Sequence, residues 1–291
     1  MKLFDATSNL ELARLLKVAP DEITQVIAAR PRYYRSWKER KSDGSFRIFM
    51  APNGPLKLLQ QKVKGHVLDS IPVLDCVHGW VVSKSVQTNA FPHTRKAVVF
   101  SIDIQDFYPS IKPHRVQRIF EAMGFGPETA DILTRITTWN GELPQGSPSS
   151  SALANLSLTR VDVRLRPLAM KNGLSYTRYG DDLTLSGNAR LLGFRGLIRR
   201  IVEEEGFSIN PNKVRTMRAG SRQTVTKLVV NERINLPREK RTDLRRRILK
   251  LRSFSIGTTN GDSIRGELSW ASSVNPRLGA RLQRLAKPGG I

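Results

Sequence analysis

The feature of this sequence that most constrains its fold is a set of carboxylates at the ends of apolar, β-rich runs. The run AVVFSIDI, residues 97 to 104, is almost wholly apolar, as expected of a central strand, and it ends in acidic residues. In the segment LSYTRYGDDLTLSG, two β-rich runs meet at Gly180-Asp181, which predicts a hairpin. Carboxylates at the end of a buried strand are costly unless they are paired or bind a metal ion. The aspartates that need such a partner are Asp103, Asp106, Asp181 and Asp182.

Paired carboxylates in a hairpin turn, with another at a neighbouring strand end, are suited to two Mg²⁺ ions, which prefer hard oxygen ligands. Two such ions serve phosphoryl transfer, because one lowers the pKa of an attacking hydroxyl and the other stabilises leaving pyrophosphate. For an isolated Asp181-Asp182 pair the plainer interpretation is an ordinary turn, since aspartates are common in turns. The rest of the chain decides between the two.

The charge of the chain points to a polyanionic partner. Its 291 residues include 48 Lys and Arg against 25 Asp and Glu, a net charge of +23, which is typical of nucleic-acid binding but also of ribosomal and membrane-surface proteins. One cysteine, Cys76, excludes an internal disulfide and a cysteine-based zinc site, and favours a reducing compartment. No apolar stretch is long enough to span a bilayer. We therefore expect no membrane partner and a cytoplasmic location.

The basic charge is concentrated toward the C-terminus, where residues 188 to 291 carry a net +15. Its densest part, Arg238 to Arg252, contains eight basic and two acidic residues, and Leu244, Ile248 and Leu251 form one apolar stripe at helical spacing. This pattern predicts a basic helix that follows phosphates through Arg245, Arg246 and Arg247, although a solvated helix face is the alternative.

The remaining patterns predict an α+β chain. A capping box at Ser8 starts a helix through Lys17, and Pro20 introduces a second helix. A basic hairpin with a strand from Phe46 to Met50 leads into a helix from Leu56. Further expected elements are a helix over 115–139 broken near 124–127, a helix following the Gly/Ser/Pro turn after Leu143, a helix over 191–205, and short strands at 207–209 and 225–230.

Four motifs in order resemble the palm of reverse transcriptases. FSIDIQDFYPSI resembles their first carboxylate motif, LPQGSPSSSALANL their template-gripping motif, YGDD their catalytic hairpin, and INPNK their following lysine loop. The resemblance runs from about Trp37 to the end of the chain. It implies a right-hand polymerase fold with fingers, palm and a small basic thumb, and RNA-directed DNA synthesis from deoxynucleoside triphosphates.

The resemblance also implies roles for individual residues. Two Mg²⁺ ions would be held by Asp103, Asp181 and Asp182, with the Ile104 carbonyl as a further ligand. Lys213 would donate a proton to pyrophosphate, and Tyr108 would be the aromatic gate that excludes ribonucleotides. The other nucleotide-binding residues implied are Lys38 and Arg47 in the fingers, of which Arg47 is favoured, together with Asp106, Gln145 and Gly146.

Two further segments resemble elements of the retron class. NAFPH, from Asn89 to His93, resembles an element that precedes the first palm motif, and TVTKLVVN, from Thr224 to Asn231, resembles a V-T-G segment. Lys227 stands where the family usually has glycine. The resemblance implies RNA recognition by Asn89, His93, Val225, Thr226 and Lys227, although NAFPH taken alone could be a plain loop with a satisfied histidine.

The sequence thus predicts a retron-like reverse transcriptase. The expected parts are an N-terminal helical segment (1–36), fingers with the adjoining retron-like element (37–96), a palm with interleaved finger elements (97–236) and a thumb (237–291). The resemblance implies a cognate structured non-coding RNA, priming from an internal 2′-OH, an RNA–DNA hybrid product, and antiphage defence in bacteria with a separate effector protein. Alternatives are a group II intron-like or other defence-associated reverse transcriptase, and a non-catalytic RNA-binding scaffold.

Overall fold

The computed structural model describes residue 4 and residues 6–40, 44–252 and 259–286. The N-terminal part is helical and leads into a β-hairpin, as the sequence predicts. Ser8 caps the first helix with the expected capping box, and Pro20 begins the second. The elements are α1 (Asn9–Leu16), α2 (Pro20–Ala29), β1 (Tyr34–Arg40), β2 (Phe46–Pro52), α3 (Gly54–His66) and α4 (Val86–Ala90).

The middle of the chain builds one antiparallel sheet covered by helices. Its elements are β3 (Val98–Asp103), α5 (Phe107–Ser110), α6 (Pro113–Met123), α7 (Pro127–Thr137), α8 (Ser150–Ser157), α9 (Thr159–Lys171), β4 (Ser175–Tyr179), β5 (Asp182–Gly187), α10 (Leu191–Glu204) and β6 (Arg215–Arg218). The strand order is β4-β5-β3-β6. The apolar run therefore forms an inner strand, which agrees with the prediction from its composition.

The two faces of β3 belong to different hydrophobic clusters, which explains why the run shows no polar alternation. Phe100 and Ile102 pack into the large cluster formed with the helices, whereas Val99 packs into a second cluster shared with the C-terminal helices. Burial on both faces favours continuous apolar sequence. The expected break between α6 and α7 falls at Gly124, which adopts a left-handed conformation that glycine tolerates.

The C-terminal part consists of a small hairpin and three helices. These are β7 (Thr224–Val225), β8 (Leu228–Val229), α11 (Arg238–Arg252), α12 (Thr259–Val274) and α13 (Pro276–Ala286). In α11, Leu244 and Ile248 are buried as the stripe predicts, and the side chain of Leu251 lies outside the described residues. No helix in these described parts is both long and apolar enough to cross a bilayer.

Two strand predictions were wrong in detail. Residues 207–209 form no strand and contribute only a bridge from Ile209 to Ile104. The segment 225–230 is interrupted by a turn at Thr226 and Lys227. It therefore forms a small hairpin of two short strands, β7 and β8, instead of one strand. Apolar β-rich composition does not distinguish these arrangements, because the turn carries neither glycine nor asparagine.

Candidate active site

The register of the central sheet brings the predicted carboxylates together. Asp103, the last residue of β3, is paired across the antiparallel ladder with Asp182, the first residue of β5. Asp181 lies in the turn between β4 and β5, and its carbonyl accepts a hydrogen bond of 3.2 Å from the backbone N–H of Ile104. The hairpin turn and the strand end therefore meet at one edge of the sheet.

Lys213 enters this edge from a short 3₁₀ turn, Pro211–Lys213, which Asn210 caps. Its Nζ lies 2.9 Å and 3.0 Å from the two carboxylate oxygens of Asp103. The backbone N–H of Asn210 also donates to the Asp103 carbonyl at 2.9 Å, which fixes this turn against β3. The lysine of the INPNK loop and the first aspartate thus share one site.

Among the described residues, the three carboxylates outnumber the two cations whose charge acts on Asp181, Lys213 and Arg47. Burial, followed by the neighbouring carboxylates Asp181 and Asp103, raises the pKa of Asp182 to about 7. Burial and then Asp103 also raise the pKa of Asp181. The negative charge of the site therefore exceeds its positive charge, and this imbalance favours the binding of a further cation.

The chemistry of the donors fits a hard divalent cation, since every candidate ligand is an oxygen. The side chains as they stand in the described residues form no compact group of three or more His, Cys, Asp or Glu. In this arrangement Asp103 already has a partner, because it forms an ion pair with Lys213. The candidate ligands for such a cation are Asp103, Asp181, Asp182 and the Ile104 carbonyl.

Tyr108 lies beside the carboxylates on the one-turn helix α5. Its ring packs partly buried against the palm core and is tilted against Phe107, with centroids 5.8 Å apart. Burial and the nearby Asp181 raise the pKa of the Tyr108 hydroxyl, while the positive charge of Arg47 opposes this shift. Tyr108 is therefore close to Asp181 and neutral at physiological pH.

The template-gripping motif is held against the finger hairpin. The backbone N–H of Met50 in β2 donates to the Gln145 carbonyl at 2.8 Å. Gly146 has a φ of 118°, and a Cβ there would lie 3.4 Å from the Met50 carbonyl oxygen, so a close approach requires glycine. The buried amide of Gln60 in α3 accepts a hydrogen bond from Ser147. Gln60 fixes this loop, although no sequence motif singled it out.

The two finger cations differ in their relation to the site. Both Lys38 and Arg47 are exposed on the hairpin of β1 and β2. The charge of Arg47 acts on the pKa of both Asp181 and Tyr108. Asp106 is exposed and has a left-handed backbone with a φ of 43° at the start of α5. Of the two cations, Arg47 is the one within electrostatic reach of the carboxylates.

A buried ionic network, which no sequence motif indicated, lies beneath the hairpin of β4 and β5. The guanidinium of Arg178 in β4 is fully buried and donates to Asp162 in α9 at distances of 2.7 to 3.1 Å. It also donates to Asn155 Oδ1 at 2.9 Å and to the Gly180 carbonyl at 3.2 Å. This network fixes the turn that carries the aspartates. An arginine inside a β-rich run was the available signal.

A second segment missed in the sequence packs directly on that turn. The backbone of residues 76–78 runs alongside β4 through hydrogen bonds of 2.8 Å between Arg178 N–H and the Cys76 carbonyl and between His78 N–H and the Arg178 carbonyl. Gly79 and Trp80 then reach Gly180: a Cβ on Gly79 would lie 2.5 Å from the Gly180 nitrogen. The chain between α3 and α4 is thus part of the site.

The retron-like NAFPH element packs against strands β4 and β5 through its buried residues. His93 is fully buried, and its two ring nitrogens lie 2.6 Å from Ser186 Oγ in β5 and 2.8 Å from Thr177 Oγ1 in β4. Burial lowers the pKa of His93 to about 3, so its ring is neutral. Asn89 is also buried, whereas Phe91 is 69% exposed. Asn89 and His93 therefore offer no side-chain surface to an RNA, and Phe91 does.

The second retron-like element is the hairpin of β7 and β8. Val225 is buried in the cluster shared with the C-terminal helices, and Thr226 Oγ1 donates to the Val86 carbonyl of α4 at 3.0 Å. Thr226 and Lys227 have φ values of 45° and 64°. Both central residues of this turn are therefore left-handed, which is the conformation that favours glycine and explains why a glycine suits position 227.

The three neighbouring arginines of α11 have different surroundings. Arg247 forms ion pairs with Glu267 of α12 at 2.6 Å and with Asp243 at 3.7 Å, and Arg246 pairs with Asp243 at 2.8 Å. Arg245 instead lines a cavity of about 230 Å³ between α11 and α13. None of the four arginines lining it forms an ion pair with a described carboxylate: Arg238, Arg241, Arg245 and Arg281. The sequence did not identify this group because Arg281 comes from another helix.

Comparisons with known proteins agree with this geometry. A family model described as reverse transcriptase (RNA-dependent DNA polymerase) matches residues 39–245. The chain is 35% identical over 281 residues to the retron Mx65 reverse transcriptase of Myxococcus xanthus, covering 90% of this chain and 66% of that protein. It is 30% identical over 277 residues to the retron Ec86 reverse transcriptase of Escherichia coli, covering 94% of this chain and 86% of that protein.

The chain spans a smaller part of some relatives. It is 34% identical over 229 residues to the retron Mx162 reverse transcriptase of Myxococcus xanthus, but covers 47% of that protein. A solved telomerase from Candida albicans, in complex with a fragment of telomeric RNA, matches with a TM-score of 0.54 at 10% identity, covering 87% of this chain and 54% of that one. This likeness supports the right-hand polymerase fold. The chain belongs to the reverse transcriptase family of RNA-dependent DNA polymerases, and within it to the retron reverse transcriptases.

Proposed function

We propose that this protein copies a cognate structured non-coding RNA into DNA, starting from an internal 2′-OH of that RNA and leaving an RNA–DNA hybrid. The observation that carries the proposal is the pairing of Asp103 with Asp182 in the sheet, with Asp181 and Lys213 at the same edge. Its relatives are bacterial retron reverse transcriptases. We place its action in the bacterial cytoplasm, in antiphage defence together with a separate effector protein.

Asp103, Asp181, Asp182 and the Ile104 carbonyl are the proposed ligands of two Mg²⁺ ions. When bound, such ions activate the attacking hydroxyl and neutralise charge on the phosphates. The role of the protein is to hold the oxygen donors together against their mutual repulsion. The ladder between β3 and β5 does so for Asp103 and Asp182, and the network around Arg178 does so for the turn.

The remaining residues of the site would bind and select the nucleotide. Arg47 would contact the triphosphate, since its charge already acts on Asp181 and Tyr108, and Lys38 and Asp106 would assist it. Gln145 and Gly146 would form the wall fixed to β2. Tyr108 would press against the sugar and exclude a 2′-OH, and Lys213 would donate a proton to the leaving pyrophosphate.

Outside the carboxylate site, the RNA would be bound through its phosphates and by the two retron-like elements. The four arginines around the cavity between α11 and α13 form no ion pair with a described carboxylate, so their charge is available to phosphates. Because Asn89, His93 and Val225 are buried, we propose that they act on RNA recognition by supporting their exposed neighbours, Phe91 among them. Thr226 and Lys227 would act at the turn of the second element.

Primer extension tests the polymerase part of this proposal. The purified protein should extend a DNA primer annealed to an RNA template with deoxynucleoside triphosphates and Mg²⁺, and a chelator should stop synthesis reversibly. Stabilisation by Mg²⁺ in thermal melting, lost in Asp103→Asn, would report metal binding independently of activity. A folded protein that binds RNA but extends no primer would favour the scaffold alternative.

The product bond tests the retron part. DNA that copurifies with the protein should be joined to RNA by a 2′-5′ bond, which resists ribonuclease and is cut by a debranching enzyme. Sequencing this nucleic acid would also identify the cognate RNA. DNA with a free or 3′-5′-linked 5′ end would contradict the priming proposal and favour a group II intron-like or other defence-associated enzyme.

A further inference from the structure

Trp80 lies between two parts of the candidate active site that the sequence motifs treat as separate. Its indole covers the catalytic turn so closely that a Cβ built on Gly180 would lie 2.8 Å from Trp80 Cη2. On another side, its ring meets the ring of Tyr108 edge-on, with centroids 6.1 Å apart. One side chain therefore contacts both the aspartate hairpin and the proposed sugar gate.

The backbone holds this indole in place at a conformational cost. Trp80 has a φ of 56°, in the left-handed region that a bulky residue rarely adopts. Such a conformation persists where the surroundings determine it. Here Asn155 Nδ2 donates to the Gly79 carbonyl at 2.8 Å, and Gly79 is in contact with the Gly180 backbone. The same Asn155 also accepts from Arg178, so the network that fixes the turn also fixes Trp80.

Tyr108 needs such a support because its own helix provides little. Helix α5 has only four residues, and the tyrosine ring is otherwise only partly buried against the palm core and tilted against Phe107. A gate selects against a 2′-OH only if its ring cannot move aside. Trp80 is 49% exposed, so about half of its surface lies outside the core.

We propose that Trp80 is a positioning residue for sugar selection: its indole edge keeps the Tyr108 ring in the place where it excludes ribonucleotides. This inference rests on the proposed role of Tyr108 as the gate. Trp80 acts through Tyr108 and the turn, and it takes no part in the bond-forming step. An aromatic edge-to-face pair of this kind contributes a factor of about 2 to 10 in an equilibrium.

The test measures kcat/KM for each ribonucleotide and its deoxynucleotide in primer extension, in the wild type and in four variants. Trp80→Ala should raise the ribonucleotide-to-deoxynucleotide ratio by about 2- to 10-fold, and Trp80→Phe, which keeps an aromatic edge, should stay near the wild type. Tyr108→Ala tests the gate itself and should raise the ratio further. Trp37→Ala is the matched control, because Trp37 is 45% exposed and also pairs with an aromatic ring, Phe49, outside the carboxylate site.

A merely structural role would lower both kcat/KM values and leave their ratio unchanged. If Tyr108→Ala raises the ratio and Trp80→Ala does not, the role of Trp80 is overturned while the gate stands. If Tyr108→Ala leaves the ratio unchanged, the gate and this inference fail together, and the polymerase assignment is untouched. Should Trp80→Ala melt before the assay temperature, Trp80→Leu keeps an apolar side chain at this position without the aromatic edge and carries the same expectation.

Discussion

The palm and the thumb use charge in opposite ways. In the palm, Arg178 and Asp162 are both about 1% exposed and form an ion pair, and Arg178 also donates to the Gly180 carbonyl in the turn that carries Asp181. In the thumb, Arg245 and Arg281 line an open cavity without a carboxylate partner among the described residues. Because a buried charge is tolerated only when paired, the palm network fixes geometry. Exposed unpaired arginines impose no geometry but attract phosphates.

The largest effect is expected from removing one of the palm carboxylates that are proposed to bind metal. We expect Asp182→Asn to reduce DNA synthesis by on the order of 10³-fold or more, since the lost charge acts on the reaction itself. RNA binding should stay within about twofold of the wild type, because the phosphate-binding charge lies elsewhere. Primer extension and a filter-binding assay measure the two quantities. Near-normal extension by the Asp182→Asn protein would remove the proposed site.

The buried ion pair should dominate the stability of the palm. Asp162→Asn leaves the Arg178 guanidinium buried without its counter-charge, and we expect a loss of about 3–5 kcal/mol in the free energy of unfolding. The matched control is Asp243→Asn in α11, whose ion pair with Arg246 is solvent-exposed, so its loss should change the free energy of unfolding far less. Equal losses in denaturant titrations of the two variants would show that burial does not distinguish the two regions.

The carboxylates and the Arg178–Asp162 pair also differ in how well the sequence predicts them. The carboxylates were predictable because each ends an apolar run or occupies a hairpin turn, and local order was enough to place them. Arg178 and Asp162 were not, because their pairing depends on how α9 packs under β4. Trp80 was missed for the same reason, since its contacts with Gly180 and Tyr108 join segments distant in the chain. Composition identified the basic helix but could not show which arginines are already paired.

In the thumb, variants can show whether unpaired arginines contribute more to RNA binding than paired ones. Replacing Arg245 and Arg281 with Gln should weaken RNA binding and reduce the slope of log K against log salt by about one unit for each lost phosphate contact. Arg247→Gln is the control, because Glu267 and Asp243 already neutralise that guanidinium. Its slope should match the wild type. A larger change in Arg247→Gln than in the double variant would reassign the phosphate-binding face.

The smallest expected effect is at the hairpin of β7 and β8. There the substitution changes backbone strain and not an ion pair. Lys227 has a φ of 64°, and Lys227→Gly removes its steric penalty but adds chain entropy to the unfolded state. The two effects partly cancel, so we expect a net stabilisation of about 0.5–1 kcal/mol in thermal or denaturant unfolding. Lys57→Gly on the exposed face of α3, where the backbone is helical, should instead destabilise by up to about 1 kcal/mol. If Lys227→Gly destabilises as Lys57→Gly does, the lysine side chain makes a favourable contribution that outweighs its strain, and the glycine preference at this turn has another cause.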